Sequence, residues 1–282
     1  NSGLKSVGYG CKPRGYKEGS MHKRNVIAIL LTAVIFISAA VLGVSAVYRV
    51  NAVTLDASVV SEAAKAEADE LQKLLLERYK DESVFFVKPE EAEADFAEFP
   101  YFRMTAFKKA YPNRLIVSAK EDPEVFAVKH AEEYYILGAD GTVLGLREEP
   151  SNRSDGADNV IVTGISAAGA KGELLGGDEC IPSFLAFCSK MSQLLDGLRS
   201  NVLSVEVSRR ASAQTEMFFS FVFREGIRAE IKNPMALTEK KAEALVSCYL
   251  SRPDNEKLGG LIRVMDDNEA PDGVRATYDQ NA

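Results

Sequence analysis

The sequence of 282 residues contains no tryptophan and only two histidines, His22 and His130. Paired acids for glycoside chemistry lie in a cleft lined with aromatic rings, and the lack of tryptophan argues against such a cleft. One histidine after residue 48 is too few for an imidazole-rich metal site or a serine–histidine–aspartate arrangement, and His130 is interpreted as a surface residue at a strand end. Neither Gly-x-Ser-x-Gly nor Ser-x-x-Lys occurs after residue 48. We therefore expect a non-enzymatic protein with no catalytic residue, no metal site and no cofactor.

Cysteine is also scarce. Cys11, Cys180, Cys188 and Cys248 form no Cys-x-x-Cys motif, and the last three cannot all pair with one another. A disulfide scaffold is therefore not indicated. We predict that these three are small buried hydrophobic residues.

Positive charge is concentrated at the start of the chain. The whole chain carries −7, from 34 lysines and arginines against 41 aspartates and glutamates. Residues 1–25 carry +5, from six cations against Glu18, so the remainder carries −12. An acidic body repels nucleic-acid phosphates, and no basic stripe interleaves with aromatic residues. Nucleic acid is therefore not an expected partner.

One long apolar run, from Val26 to Tyr48, comprises 23 residues without a charge. As an α-helix it would extend about 34 Å, enough to cross a hydrocarbon core of about 30 Å. A buried core helix is disfavoured because no face of the run is polar. A cleaved signal peptide is the stronger alternative, since 44–46 resembles a small-residue cleavage site, but the run is long for a signal. We predict an uncleaved transmembrane helix.

The charges beside this run predict its orientation. Lys23, Arg24 and four earlier cations precede it, whereas only Arg49 follows it closely. The positive-inside rule then places the N-terminus in the cytoplasm and residues 49–282 outside, in a type II single-pass arrangement. Were Met21 the true start, Lys23 and Arg24 would preserve this orientation.

The residues after the run first follow the order strand, helix, helix, strand, strand. An amphipathic stripe predicts the first helix, and Pro89 suits the first turn of the second. Tyr111-Pro112-Asn113 has a turn composition between the last two strands. The predicted elements are a strand at 50–56, helices at 57–80 and 89–99, and strands at 101–110 and 113–121.

After Pro123 the pattern changes to short strands separated by turns, with 138–141 as a hairpin signal. Two helices interrupt the strands, one over 181–198 and one capped by Thr238. We predict an α+β protein in which a transmembrane helix precedes a small βααββ domain and a mixed, mostly antiparallel β domain with two packed helices. The predicted boundaries are a tail at 1–25, the helix at 26–48, the βααββ domain at 49–122, the β domain at 123–265, and a closing loop and strand at 266–282.

This organisation resembles the FtsQ/DivIB family of bacterial cell-division proteins, and the βααββ domain is similar to the family's POTRA domain. The pattern P-x-x-L-x-V-x-x-x-E-x-P, from Pro112 to Pro123, carries the likeness, together with Tyr135 before Asp140-Gly141 and the order of the closing strands. The motif residues are Pro100, Tyr111, Pro112, Leu115, Val117, Glu121 and Pro123.

The resemblance implies a non-enzymatic protein of the cell membrane at the division septum. It implies as partners FtsL-like and DivIC/FtsB-like single-pass coiled-coil division proteins, which the chain would bind and stabilise. A strand edge is the expected means, since its unpaired N–H and C=O groups can accept another chain's strand. The expected partner-binding residues, in the two closing strands, are Leu261, Ile262, Arg263, Val264, Val274, Arg275, Ala276 and Tyr278.

Two alternatives belong to other classes. A membrane-anchored scaffold could bind cell-wall polymer, although the acidic exported body disfavours anionic polymers. A translocation chaperone could also use POTRA domains, but it needs tandem copies and a barrel, and the sequence predicts one copy and no barrel.

Overall fold

The computed structural model describes residues 18–59, 61–150, 158–211 and 215–282. Within these residues the chain forms six α-helices and twelve β-strands, divided between a three-stranded and a nine-stranded sheet. The predicted class is confirmed as α+β with one N-terminal apolar helix and a large mixed sheet. Cys11 and most of the predicted tail lie outside the described residues.

The first helix, α1 (Glu18–Val47), contains the apolar stretch Asn25–Val47, which is long and apolar enough to cross a membrane. None of this stretch is buried against the rest of the chain, and Phe36 is 72% exposed. A core helix would bury such side chains, so the core-helix alternative is wrong.

The three-stranded sheet has the order β1-β3-β2. β1 (Ala52–Ser58) runs parallel to β3 (Arg114–Glu121), and β2 (Phe102–Ala110) is antiparallel to β3. The predicted pairing of the last two strands around Tyr111-Pro112 is confirmed, and the peptide bond between these two residues is cis.

Two helices pack on this sheet, α2 (Glu62–Tyr79) and α3 (Pro89–Asp95). Helix α2 begins later than predicted because β1 extends to Ser58, and Ser61 then caps the helix by accepting the Ala64 N–H at 3.2 Å. As predicted, α3 has a proline in its first turn. Their shared core includes Val53, Leu71, Leu75, Phe102, Leu115 and Val117.

The nine-stranded sheet has the order β12-β11-β10-β9-β8-β7-β4-β5-β6. Five of its neighbouring pairs are antiparallel, and the pairs β4/β7, β7/β8 and β10/β11 are parallel, so a mixed, mostly antiparallel sheet is confirmed. Its strands are β4 (Phe126–His130), β5 (Glu133–Leu137), β6 (Val143–Arg147), β7 (Val160–Thr163), β8 (Val202–Ala211), β9 (Thr215–Phe223), β10 (Arg228–Lys232), β11 (Leu261–Asp266) and β12 (Val274–Asp279).

Helices α4 (Ile181–Leu194) and α5 (Thr238–Leu250) supply the apolar cover of this sheet, and a short α6 (Asp254–Lys257) follows them. Phe187 of α4 meets Phe219 of β9 with ring centroids 6.1 Å apart, and Phe223 stacks on Tyr249 of α5 at 4.3 Å. All four rings are nearly or fully buried, and each burial contributes about 1.5–3 kcal/mol.

The start of α5 differs from the prediction. Thr238 is the first helical residue, and Leu237, in a left-handed conformation with φ 51°, takes the cap position without a side-chain hydrogen bond. The Thr238 hydroxyl donates backward to Pro234 O at 2.9 Å, so it does not accept a helical N–H.

Candidate interaction edge at the C-terminal strand

The eight expected partner-binding residues lie on two strands that differ in their place in the sheet. β11 is paired on both sides, in parallel with β10 and antiparallel with β12. β12 is the terminal strand, and no strand among the described residues pairs with its outer side. The expected edge therefore narrows to β12. Inside the sheet lie Leu261, Ile262, Arg263 and Val264, and at its edge lie Val274, Arg275, Ala276 and Tyr278.

The hairpin register determines which backbone groups of β12 point outward. The Asp267 N–H donates to Gly273 O at 3.0 Å, so these two residues form a hydrogen-bonded pair. Hydrogen-bonded and non-hydrogen-bonded pairs alternate in an antiparallel ladder, so Met265 and Arg275 form the next hydrogen-bonded pair. The residues whose N–H and C=O groups point away from β11 are then Val274, Ala276 and Tyr278.

The other side of β11 gives the same assignment. The Arg228 N–H donates to Gly260 O at 3.0 Å, which aims the Gly260 carbonyl at β10. By alternation the backbone groups of Ile262 and Val264 also face β10, which leaves their partners on β12 without a bond to β11. Three residues of β12 thus offer backbone hydrogen bonds to a further strand.

The same three residues direct their side chains towards the core, and these side chains hold β12 in place. Val274 is buried, and Ala276 and Tyr278 pack against the same core. The Tyr278 hydroxyl donates to Glu256 O at 3.0 Å. A Cβ at Gly260, which has φ +90°, would lie 2.7 Å from the Tyr278 ring, so this close approach requires glycine. The Tyr278 side chain is therefore held by a hydrogen bond at its hydroxyl and by the close approach of Gly260 to its ring.

The side chains on the other face of the β11–β12 hairpin, which points away from the core, are mainly polar. Arg263 Nη1 lies 3.4 Å from Asp279 Oδ2 across the two strands, and Arg275 Nε lies 2.6 Å from Asp267 Oδ2. Arg275 is 56% exposed along its side chain, so its ion pair is a weak surface contact. Charged side chains on an edge strand discourage non-specific pairing with other chains.

The hairpin loop between the two strands is ordered by its own hydrogen bonds. Ala270 and Glu269 donate N–H groups to Asp267 O and Oδ1 at 3.1 and 2.9 Å. Gly273 adopts φ +74°, and its N–H donates to Ala270 O at 3.0 Å. The loop adds acidic side chains at one end of the edge.

The opposite edge of the nine-stranded sheet, β6, is partly covered. The Gly172 N–H donates to Val143 O, and the Val143 N–H donates to Glu173 O, both at 2.8 Å. The Leu175 N–H donates to Gly141 O at 2.9 Å, so the loop over 172–175 occupies the start of this edge. β12 has no such cover among the described residues.

The seven residues that carry the resemblance to a POTRA motif lie in the three-stranded sheet and in the segments next to it. Leu115 and Val117 are fully buried in the core of this sheet, and Tyr111 is 58% exposed at the turn. Glu121 is buried and accepts the Ser61 N–H at 3.2 Å, a role at the start of α2 that the motif alone does not predict. The three prolines of the motif, Pro100, Pro112 and Pro123, lie in the segments that flank β2 and β3.

Sequence reasoning missed a buried polar contact between the two sheets, centred on Glu124. The Glu124 carboxylate is fully buried and accepts hydrogen bonds from Tyr101 Oη at 2.6 Å, Arg147 Nη2 at 2.7 Å and Asn159 Nδ2 at 2.8 Å. Burial and the adjacent carboxylate raise the pKa of Tyr101 far above 10, so its hydroxyl stays a donor at neutral pH. The only sequence signal was an acidic residue directly before the apolar run of β4.

Two further basic side chains, Arg103 and Lys171, form ion pairs where the two sheets meet. Arg103 of β2 pairs with Asp122 at 2.8 Å and with Asp140 in the β5–β6 turn. Lys171 Nζ lies 2.5 Å from Glu67 Oε1 of α2. Burial raises the pKa of Glu67, although Lys171 opposes that shift. These contacts are structural because each carboxylate is engaged with a basic side chain.

The remaining titratable side chains are dispersed or buried. Among the described residues, no three histidine, cysteine, aspartate or glutamate side chains are grouped to hold a metal ion. Cys180 and Cys188 are buried, as predicted, and Cys248 is half-buried. Burial and the neighbouring Asp178 raise the pKa of Cys180 to about 12, and burial raises that of Cys188 well above 9, which disfavours the thiolate form of both side chains. His130 is exposed at the end of β4, as predicted.

A cavity of about 490 Å³ lies between α4 and the start of β4. Its lining combines Val125, Cys188 and Leu198 with serine side chains and Arg199.

No model of a known protein family matches the chain, and no curated protein matches it either.

Proposed function

We propose that this chain is a single-pass protein of the bacterial division septum, similar to the FtsQ/DivIB family, that binds other single-pass division proteins by strand pairing at β12. The observation that carries the proposal is the outer edge of β12, where Val274, Ala276 and Tyr278 direct backbone groups away from the sheet. The partners would be FtsL-like and DivIC/FtsB-like coiled-coil proteins. The role is binding and stabilisation, and it needs no catalytic residue, metal or cofactor.

The proposed location follows from the start of the chain. Helix α1 is long and apolar enough to span a membrane, and Lys23 and Arg24 precede its apolar stretch. In the proposed arrangement these cations stay in the cytoplasm, and both sheets lie outside.

We also propose that residues 49–122 are a POTRA-like domain. The order of β1, α2, α3, β2 and β3 supports this assignment, as does the three-stranded sheet with both helices packed into one core. The domain would place β12 at a defined distance from the membrane.

The proposal is tested with Ala276→Pro. Proline removes the outward N–H of residue 276 and adds a ring at the edge, while the bonds from β12 to β11 stay intact, and edge strands tolerate proline. Ala276→Val keeps the N–H and is the matched control. Each full-length variant is purified from detergent-solubilised membranes, and the retained single-pass coiled-coil proteins are quantified by mass spectrometry.

We expect retention by Ala276→Pro to fall about ten-fold, as the loss of one backbone hydrogen bond predicts, and retention by Ala276→Val to match the parent chain. Circular dichroism confirms that each variant is folded. A folded Ala276→Pro chain that retains its partners fully would exclude β12 as the binding edge. Sedimentation of the parent chain with purified sacculi, without retained proteins, would instead favour the polymer-binding scaffold.

A further inference from the structure

Three aromatic side chains contact one another beyond the end of α1, namely Tyr48, Phe85 and Tyr111; together with Phe86, which follows Phe85 in the chain, we call them the juxtamembrane cluster. The Tyr48 ring lies 4.8 Å from that of Phe85 and 6.2 Å from that of Tyr111, and Phe85 and Tyr111 are 5.5 Å apart. The cluster is not a core, because Phe86 is 80% exposed, Phe85 52% and Tyr111 58%. Phe85 and Tyr111, which are in ring contact and more than half exposed, form an apolar patch that water solvates poorly, and the still more exposed Phe86 is next to Phe85 in the chain.

Backbone hydrogen bonds tie this patch to the end of α1. The Val84 N–H donates to Tyr48 O at 2.9 Å, and the Val50 N–H donates to Glu82 O at 2.8 Å. The Phe86 N–H donates to Ser83 O at 2.9 Å, which fixes the turn that carries both phenylalanines. No flexible linker separates the helix from the cluster, so the cluster keeps its height relative to the helix end.

With α1 spanning the bilayer, as proposed above, that height would coincide with the boundary between lipid and water. The apolar stretch of α1 ends at Val47, and its 23 residues extend about 34 Å, slightly more than the hydrocarbon core. Tyr48 is the next residue and would therefore lie among the headgroups. Its ring contacts bring Phe85 and Tyr111 to the same level. Aromatic side chains are enriched at this level in membrane proteins.

The charge around the cluster also suits a lipid surface. Arg49, Lys108, Lys109 and Arg114 lie in the segments that carry the cluster, against Asp81 and Glu82. Lys109 Nζ donates to Phe85 O at 2.9 Å, which places a cation beside the rings. The chain after residue 25 is strongly acidic, so this basic end is a local exception. Lipid phosphates are attracted to such cations.

We propose that the juxtamembrane cluster inserts its exposed rings into the headgroup region of the bilayer, so that the three-stranded sheet rests on the membrane as a second contact beside α1. This inference rests on the proposed membrane anchoring by α1. The partner is the lipid bilayer itself, since lipid is what surrounds the end of a spanning helix.

The lack of tryptophan in the chain allows a direct test. Three single-tryptophan variants of the full-length chain are reconstituted into vesicles of phosphatidylcholine and phosphatidylglycerol, with phosphatidylcholine brominated near the headgroup end of its acyl chains. Phe86→Trp reports on the cluster. Phe36→Trp, in the middle of α1, reports on the span. Leu258→Trp is the matched control, because Leu258 is 74% exposed but lies far from the juxtamembrane cluster. It precedes β11, near the end of the nine-stranded sheet opposite β5 and β6, which pack against the smaller sheet.

We expect bromine to quench Phe86→Trp fluorescence severalfold more strongly than Leu258→Trp fluorescence, with a blue-shifted emission. Deep bromination should quench Phe36→Trp more than Phe86→Trp. If Phe36→Trp is quenched but Phe86→Trp is quenched no more than Leu258→Trp, this inference is overturned, while the proposal that α1 spans the membrane stands. Absence of quenching at Phe36→Trp would overturn the anchor proposal together with it.

Discussion

Asp178 shows how one carboxylate organises the start of a helix. Its side chain is almost buried, and Oδ1 accepts the Cys180 N–H at 3.1 Å just before α4. Arg209 Nη2 from β8 lies 2.6 and 2.7 Å from its two oxygens. Burial alone would raise the pKa of Asp178, but the hydrogen bond from Cys180 and the Arg209 guanidinium outweigh burial and hold the pKa below 3.8.

We predict that Asp178→Asn lowers the free energy of unfolding by about 1.5–3 kcal/mol at neutral pH, since it removes hydrogen bonds to a charged group. A carboxylate whose pKa is lower in the folded state stabilises the fold above its unfolded pKa, and this stabilisation is lost as the pH falls through the folded value. The difference between the parent chain and Asp178→Asn should therefore shrink below about pH 4. Denaturant unfolding in detergent, at neutral and at acidic pH, measures this difference in the free energy of unfolding.

The matched control for this prediction is Glu179→Gln, which removes the neighbouring exposed charge. It should leave stability within about 0.5 kcal/mol of the parent chain at either pH. An Asp178→Asn effect that is equally large at acidic pH would show that the interaction does not depend on the carboxylate charge.

At the scale of elements, α5 is joined to two strands by a lysine with no exposed surface. Lys241 Nζ donates to Lys232 O at 2.9 Å and to Asn233 O at 2.7 Å at the end of β10. It also lies 2.8 Å from Asp266 Oδ1 at the end of β11. One ammonium group thus connects the helix to both strands of a parallel pair.

We predict that Lys241→Met destabilises the chain by about 2–3 kcal/mol, because it leaves buried carbonyl groups without a donor. Lys240→Met is the control, since Lys240 is exposed and its contact with Asp272 O is long, at 3.3 Å. The control should change stability by less than about 0.5 kcal/mol. Unfolding followed by near-ultraviolet circular dichroism compares the two, and equal effects would refute the structural role of Lys241.

The elements themselves were predictable, but their neighbours were not. Alternation in β9 and the apolar stripe of α5 are local patterns, so both elements follow from the sequence. The position of β11 inside the sheet depends on its parallel pairing with β10 across α5, a contact between distant segments. The sequence pattern therefore predicted that β11 and β12 together form the edge of the sheet. In the structure only β12 lies at the edge.

Single polar residues were predictable only where they fell in a pattern. Lys241 lies four residues before Leu245, on the buried side of α5, so a charge on that apolar stripe was a usable signal. Glu124 offered no comparable signal, because its three donors come from Tyr101, Arg147 and Asn159 on separate segments.

At the scale of the whole molecule, the two sheets share one apolar region. Ala127, Ile136 and Leu144, from β4, β5 and β6, belong to the same buried cluster as Leu71 of α2 and Leu115 of β3. The buried Glu124 contact lies beside this region. The two sheets should therefore unfold together.

We predict that Tyr101→Phe keeps the ring packing but lowers the free energy of unfolding by about 1.5–3 kcal/mol, because Glu124 loses a donor. Hydrogen exchange should accelerate in both β3 and β4, on the two sides of the contact. Tyr134→Phe, at a half-buried tyrosine of the same core, is the control and should leave both rates nearly unchanged. Acceleration confined to β3 would show that the sheets are energetically independent.

The sheet order gives the molecule a mechanical property. β6, beside the smaller sheet, and β12 stand at opposite ends of nine strands, and eight spacings of about 4.8 Å make a lever arm of about 38 Å. A tilt of the smaller sheet by about 10° would displace β12 by about 7 Å. A small rocking at the base thus becomes a displacement larger than the spacing between two strands at the far edge.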